Sequence, residues 1–340
     1  MTNELVPTDP PPAAGVWDKL VEVVGDINLP KLIAGPAGQA ISRLIAGGAD
    51  IPAAWLEQKA KSIRDKTEGQ SLVAKTLAGA AAELVKNDPA LVQRAADAFI
   101  AKEIRHQHNR ETVAVKAIEH LKETPDAQTT TPNDDWLNVF SRYAEDASSD
   151  RLQDLWARIL SGELKRPKAF SLRTLRFVSE LDEDTTSLFE KWSPSIINSD
   201  FIPFLPTEGD LFTELLRLED VGLITGVAAQ VSKIFRDPGS SIPDTIQVLT
   251  LGYSFKSHSV TAYIKRPFSF NIRAALLTRI GKEIYGITQA PDSMDTVRSF
   301  VQELPKENIQ NITCQARSPG AVPEVLWSKP PEPAPTQPEP

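Results

Sequence analysis

The sequence predicts a mainly α protein with a small α+β end: an N-terminal helical bundle or stalk followed by a winged-helix-like C-terminal domain. Three observations carry this expectation. Up to Ser193-Pro194, apolar residues recur at three- and four-residue steps, the helical period. Alternating apolar residues, the mark of strands, come later, at Leu249, Leu251, Tyr253 and Phe255 and again at Val260, Ala262 and Ile264. That two-stranded ribbon follows a leucine-rich helix and the turn Glu219-Asp220-Val221-Gly222-Leu223-Ile224, the order in which winged-helix domains often read.

The elements follow in order. Residues 1–15, with Pro7, Pro10, Pro11 and Pro12, and residues 316–340, Pro- and Glu-rich from Lys329 onward, offer too little apolar surface to offset the entropy of ordering. Both are expected to be disordered. Residues 16–123 read as a helical region. A short amphipathic helix carries Val16, Leu20 and Val23. Leu29 to Leu56 is rich in small and apolar residues and breaks near Pro36 and Gly47-Gly48. Helices from about Pro52 and Ser71 follow, and a long one from about Pro89 to Lys122. Its stretch from Lys102 to Glu111 is almost entirely polar, which reads as a solvated face or an oligomer contact. Residues 124–134 form a linker. Residues 135–193 give the densest core pattern: Trp136, Phe140, Tyr143 and Ala144, then Leu152, Leu155, Trp156 and Ile159 at i, i+3, i+4, i+7, with Gly162 where a helix-ending glycine belongs. Residues 194–315 form the winged-helix-like domain, with possible strands at 268–272 and 309–314 and helices at 276–284 and 295–304.

Charge and composition narrow the function. The net charge is −8, so a broad electrostatic grip on nucleic acid is not expected. Cys314 is the single cysteine, which rules out an intramolecular disulfide. The chain opens without a basic, then apolar, leader, and no stretch is apolar enough to span a bilayer, so a cytoplasmic location is expected.

No local motif supplies chemistry. His106 and His108, two residues apart, point to different faces of a helix and cannot share a metal. His120 lies further on, and His258, beside a hairpin turn, has no sequence-adjacent partner. Gly35-Pro36-Ala37-Gly38 lacks the GK[ST] ending of a phosphate loop, and no GxSxG nucleophile elbow occurs. No catalytic, cofactor-binding or metal-ligating residue is assigned, and no cofactor is expected.

Two features suggest partners. Leu32, Ile33, Ile41, Leu44, Ile45 and Trp55, within Leu29 to Leu56, suit a protein contact, self-association or the chain's own bundle. A membrane surface is a weaker alternative, because Lys and Arg are sparse on the polar side. Lys256, Lys265, Arg266 and Arg273 lie on the presumed ribbon, where a winged helix would place cations on phosphates.

Two stretches resemble a known family. They are Glu103-Ile104-Arg105-His106-Gln107-His108-Asn109-Arg110-Glu111 and the segment Trp136 to Leu175, centred on Leu152-Gln153-Asp154-Leu155-Trp156-Ala157-Arg158-Ile159-Leu160-Ser161-Gly162-Glu163. Together they resemble the bacterial domain of unknown function 2806 over roughly residues 30 to 310. The Leu-Trp-Ala-Arg-Ile-Leu run is also similar to a segment of abortive-infection alpha proteins, which implies a link to phage resistance. The resemblance implies kinship and no assigned chemistry. The expected function is a non-enzymatic scaffold or interaction protein, with a DNA-binding regulator and a membrane-associated effector as alternatives.

Overall fold

The computed structural model describes residues 35–45, 89–122 and 129–330. The expected helices at 16–26, near 51–66 and 71–86, and residues Leu32, Ile33 and Trp55, lie outside them. The chain divides into two compact units, residues 1–175 and 176–340.

The first unit is helical. Helix α1 (Pro36–Ile45) packs on α2 (Pro89–Lys122) and α3 (Asp134–Ala144), and α4 (Asp150–Lys165) packs along α2. Local chemistry sets the helix starts. The Asn133 side chain accepts the N–H groups of Asp135 and Trp136, and the Ser149 hydroxyl accepts that of Leu152. Both satisfy donors that the first helical turn leaves open. The apolar stripes meet where their spacing predicts. Phe140 stacks on Trp136 at 5.1 Å and meets Trp156 edge-on at 5.4 Å, while Tyr143 stacks on Trp156 at 5.8 Å. The Trp136 indole N–H donates to the Phe170 carbonyl at 2.8 Å, so burial leaves it partnered.

Gly162 does not end its helix. α4 continues to Lys165, and the reversal comes at Lys168, whose φ is 65°. The buried Glu163 carboxylate makes this turn possible, accepting the N–H groups of Lys168 at 2.7 Å and Phe170 at 3.0 Å. A charged side chain thus does the work that sequence spacing assigned to a glycine.

Helix α5 (Leu172–Ser179) crosses the division between the units, and α6 (Glu183–Trp192) follows, capped by Asp182. The second unit then differs from the expectation of a small α+β end. Among the described residues it contains eight strands in two antiparallel four-stranded sheets. In the first sheet, β6 (Ser269–Leu277) pairs with β1 (Phe201–Pro203), β2 (Ile224–Thr225) and β3 (Ser232–Arg236). The second has the order β4 (Val248–Ser254), β5 (His258–Lys265), β7 (Ile309–Ala316), β8 (Glu324–Ser328). Helix α7 (Asp210–Asp220) lies between β1 and β2 in sequence, α8 (Arg279–Tyr285) follows β6, and α9 (Met294–Glu303) precedes β7.

This corrects the mainly α, winged-helix-like assignment. The β4–β5 hairpin exists, but β7 flanks β5 and β8 flanks β7, so the hairpin is half of a sheet rather than a projecting ribbon. The presumed third strand, β6, belongs to the other sheet. The reasons are local. β1 has three residues and ends at Pro203, too short for a periodic signal. In β3, Ile234 faces out, 67% exposed, while the Lys233 ammonium lies 4.3 Å above the Phe201 ring, so its polarity pattern is inverted. β8 forms inside residues 316–340, whose composition reads as a tail. The two sheets and α9 enclose one core. Phe300 of α9 lies 4.9 Å from Tyr253 and 5.5 Å from Phe255, and Phe235 of β3 lies 5.8 Å from Tyr253.

Asp200 ties this unit together electrostatically. It accepts from Lys233 of β3 and, at 2.6 Å, from Lys282 of α8. Burial pushes its pKa up, but the two ammonium groups outweigh this and hold it below the ordinary 3.8. A depressed carboxylate stabilises the fold above its unfolded value and loses that contribution as pH falls through the folded one. Urea unfolding below pH 3.8 should therefore show a steeper acid loss in the wild type than in Asp200→Asn.

Candidate functional site: the two halves of α2

Helix α2 changes character along its length. Val113, Ala114, Ala117, Ile118 and Leu121 are buried against its neighbours. Of the residues from Ala90 to Arg105 with described side chains, all but the half-buried Glu103 are exposed. Phe99, Ile100 and Ile104 are among them, at 52%, 47% and 66% exposure. The first half is therefore an arm that the described residues leave uncovered.

Between arm and core lies a polar seam. His106, Asn109 and Arg110 are buried, although the polar run around them reads as a solvated face. They fall on the stripe that Val113, Ala117 and Leu121 continue, at i, i+3, i+4 and i+7 from His106. They meet the α3–α4 connection. Arg110 pairs with Glu145 at 2.6 Å, and the Asn109 amide donates to the Glu145 carbonyl at 2.8 Å. Gln153 donates to the Asn109 side chain at 3.2 Å and to the Ala147 carbonyl at 3.0 Å. The His106 ring nitrogens lie 3.6 Å from Glu145 and 3.3 Å from Asp146. Further along, Lys116 meets Asp150 at 2.7 Å and His120 meets Asp154 at 2.8 Å. Burial raises the pKa of Asp154, but hydrogen bonds from His120 and Arg158 more than reverse this and hold it below the ordinary aspartate value. Such a seam fixes the rotation and register of α2, because a slip leaves several buried polar groups unpaired. Asn109→Ala should cost about 1–2 kcal/mol in urea unfolding of the full chain.

His108 is exposed while His106 is buried, so the pair shares no site. Among the described residues no group of three or more His, Cys, Asp or Glu is placed to hold a metal. Ile41, Leu44 and Ile45 are buried on α1, which packs on α2 and α3. That surface is used within the chain.

The four candidate cations do not form one patch. Lys256 precedes β5 and Lys265 ends it, so the length of the strand, roughly 25 Å, separates them. The Lys256 ammonium donates to the Thr288 carbonyl and hydroxyl and lies 4.7 Å above the Tyr285 ring. The Arg266 Nε–H donates to both Asp237 carboxylate oxygens, at 3.0 and 2.8 Å, and its other nitrogens donate to the carbonyls of Gly239, Ile242, Pro243 and Ile246, so it braces the loop before β4. Lys265 is exposed. Arg273 lies on β6, in the other sheet, opposite Ser232.

One pairing had no sequence signal at all. His258 meets Asp292, thirty-four residues away, and the buried Asp292 carboxylate also accepts the Ser257 N–H. Nearby Cys314 is buried. Burial pushes its thiol up, with the Glu324 and Asp292 charges adding to the shift, so it has the character of a core residue rather than an activated nucleophile. Tyr285 is pushed up to about 12 by burial and by Asp292.

No helix among the described residues is long and apolar enough to cross a membrane. No curated protein and no solved structure matches the chain. The similarity to abortive-infection alpha proteins therefore has no counterpart in these comparisons, and the family similarity is narrower than the 30–310 expected. Residues 93–198, which hold the arm, the polar seam and the aromatic cluster of α3 and α4, match the family described as protein of unknown function (DUF2806).

Proposed function

We propose that this chain is a protein-interaction module whose contact element is the first half of α2. The observation that carries the reading is the exposure of Phe99, Ile100 and Ile104 on a helix whose other half is locked in a core. Ile100 and Ile104 are four apart and share a face, with Phe99 at its border, the spacing by which an amphipathic helix lies in a partner's groove. The polar seam supports the same reading. It orients the arm by side-chain pairing, and its charges are neutralised within the chain. The DNA-binding alternative draws less support, since the four cations are dispersed and Arg266 is engaged in bracing.

Replacing Phe99, Ile100 and Ile104 together by aspartate tests this. The expected result is an unchanged unfolding temperature with loss of an association seen for the wild type by cross-linking in cells. A collapse in stability instead would mean that the arm is covered by the chain itself, and would overturn the proposal.

A further inference from the structure

The second sheet ends at β4, and that edge is open in an unusual way. The Arg266 N–H donates to the Gln247 carbonyl and the Phe255 N–H to the His258 carbonyl, so the odd-numbered residues of β4 face β5. The even-numbered ones, Val248, Thr250, Gly252 and Ser254, turn their backbone groups outward. At one end this outward side is already occupied. Asn198, in the left-handed region at φ 55°, caps the edge: its N–H donates to the Ser254 carbonyl at 2.8 Å, its side-chain oxygen accepts the Ser254 N–H at 2.7 Å, and its amide reaches the Gly252 carbonyl at 3.5 Å. At the other end, Arg266 holds the Ile246 carbonyl. Between these stops, Val248 and Thr250 present two N–H and two C=O groups with no partner among the described residues, and the Gly252 N–H beside Asn198 is open as well.

Nothing protects the gap. Ile246 to Ser254 contains no charged residue and no proline, the two usual guards of an edge. Ile246 and Val248 are each 43% exposed. We infer that a second copy of this chain pairs here, β4 against β4 in antiparallel register. Of the registers available, the one that sets Val248 opposite Thr250 of the second copy satisfies the four open groups of Val248 and Thr250 in each chain and stops short of both Asn198 and Ile246. The two-fold axis then passes between the two Leu249 residues, which already pack against the core. Neutrality favours a copy of the same chain, because a two-fold pairing sets like residues near like, and a charged edge would repel itself. The product is a continuous eight-stranded sheet, four strands from each chain.

The test uses the full chain in sedimentation equilibrium, with Leu249→Cys as a reporter. Leu249 would face its counterpart in a non-hydrogen-bonded pair with Cα atoms about 4.5 Å apart, within disulfide reach. The expected result is a dimer in the wild type and rapid formation of a disulfide-linked dimer on mild oxidation of Leu249→Cys. Val248→Lys and Thr250→Pro should each shift the equilibrium to monomer with the fold retained. If Thr250→Pro does not fold, Val248→Lys and the disulfide decide. A wild-type monomer throughout, or a dimer that survives Val248→Lys without a Leu249→Cys cross-link, would overturn the inference. The aspartate-substituted α2 arm should still dimerise. A dimer lost there would instead assign self-association to α2.

Discussion

Trp156→Ala is expected to lower the stability of the helical unit by about 3–5 kcal/mol, the range for truncating a large buried aromatic. Trp156 is 2% exposed and sits where Phe140 and Tyr143 converge on α4. Its loss removes an edge-on and a stacked ring contact together and opens a cavity between α3 and α4. The surrounding side chains cannot easily close that cavity. Phe140 is also held by Trp136, whose indole is anchored to the Phe170 carbonyl. Denaturant unfolding followed by circular dichroism checks the figure. Trp156→Phe, which keeps an aromatic in place, should recover more than half of the loss.

Gly281→Ala is expected to cost roughly 3 kcal/mol, at the upper end for overpacking, because the obstruction is backbone. A Cβ at position 281 would lie 2.0 Å from the Leu223 carbonyl oxygen and 3.1 Å from its carbon. Neither can move alone. The Leu223 carbonyl accepts the Thr278 N–H, and the Thr278 hydroxyl donates to the Gly222 carbonyl while accepting the Gly281 N–H as the cap of α8. The turn after α7 and the start of α8 are thus fastened to each other, and a methyl group must separate them. A shift of the unfolding midpoint of the second unit, with the helical unit unaffected, is the measurement.

The helical unit was legible because its stripes are regular. Trp136, Phe140, Trp156 and Ile159 keep helical spacing. The long helix from Pro89 to Lys122 was also readable, but not the burial within it. His106, Asn109 and Arg110 looked like a wet face because sequence shows polarity and not partners. Their i, i+3, i+4 steps into Val113 were the available signal. The second unit was harder to read. Its strands β4 and β5 alternate cleanly. The short β1, the inverted β3 and the proline-flanked β8 do not, and without them the hairpin looks like a wing. His258 and Asp292 meet only because β5 and the connection from α8 to α9 converge in space. No spacing rule reaches across thirty-four residues.

The central claim is that α2 is half core and half contact. The most direct measurement places a photoreactive residue at position 104 of the full chain, in cells that naturally produce it, with one at the buried position 117 as control. The expected result is a discrete adduct with another protein chain from position 104 and none from 117. Adducts from position 104 confined to residues of the same chain would contradict the account, because the exposed arm would then be a face that the protein covers itself.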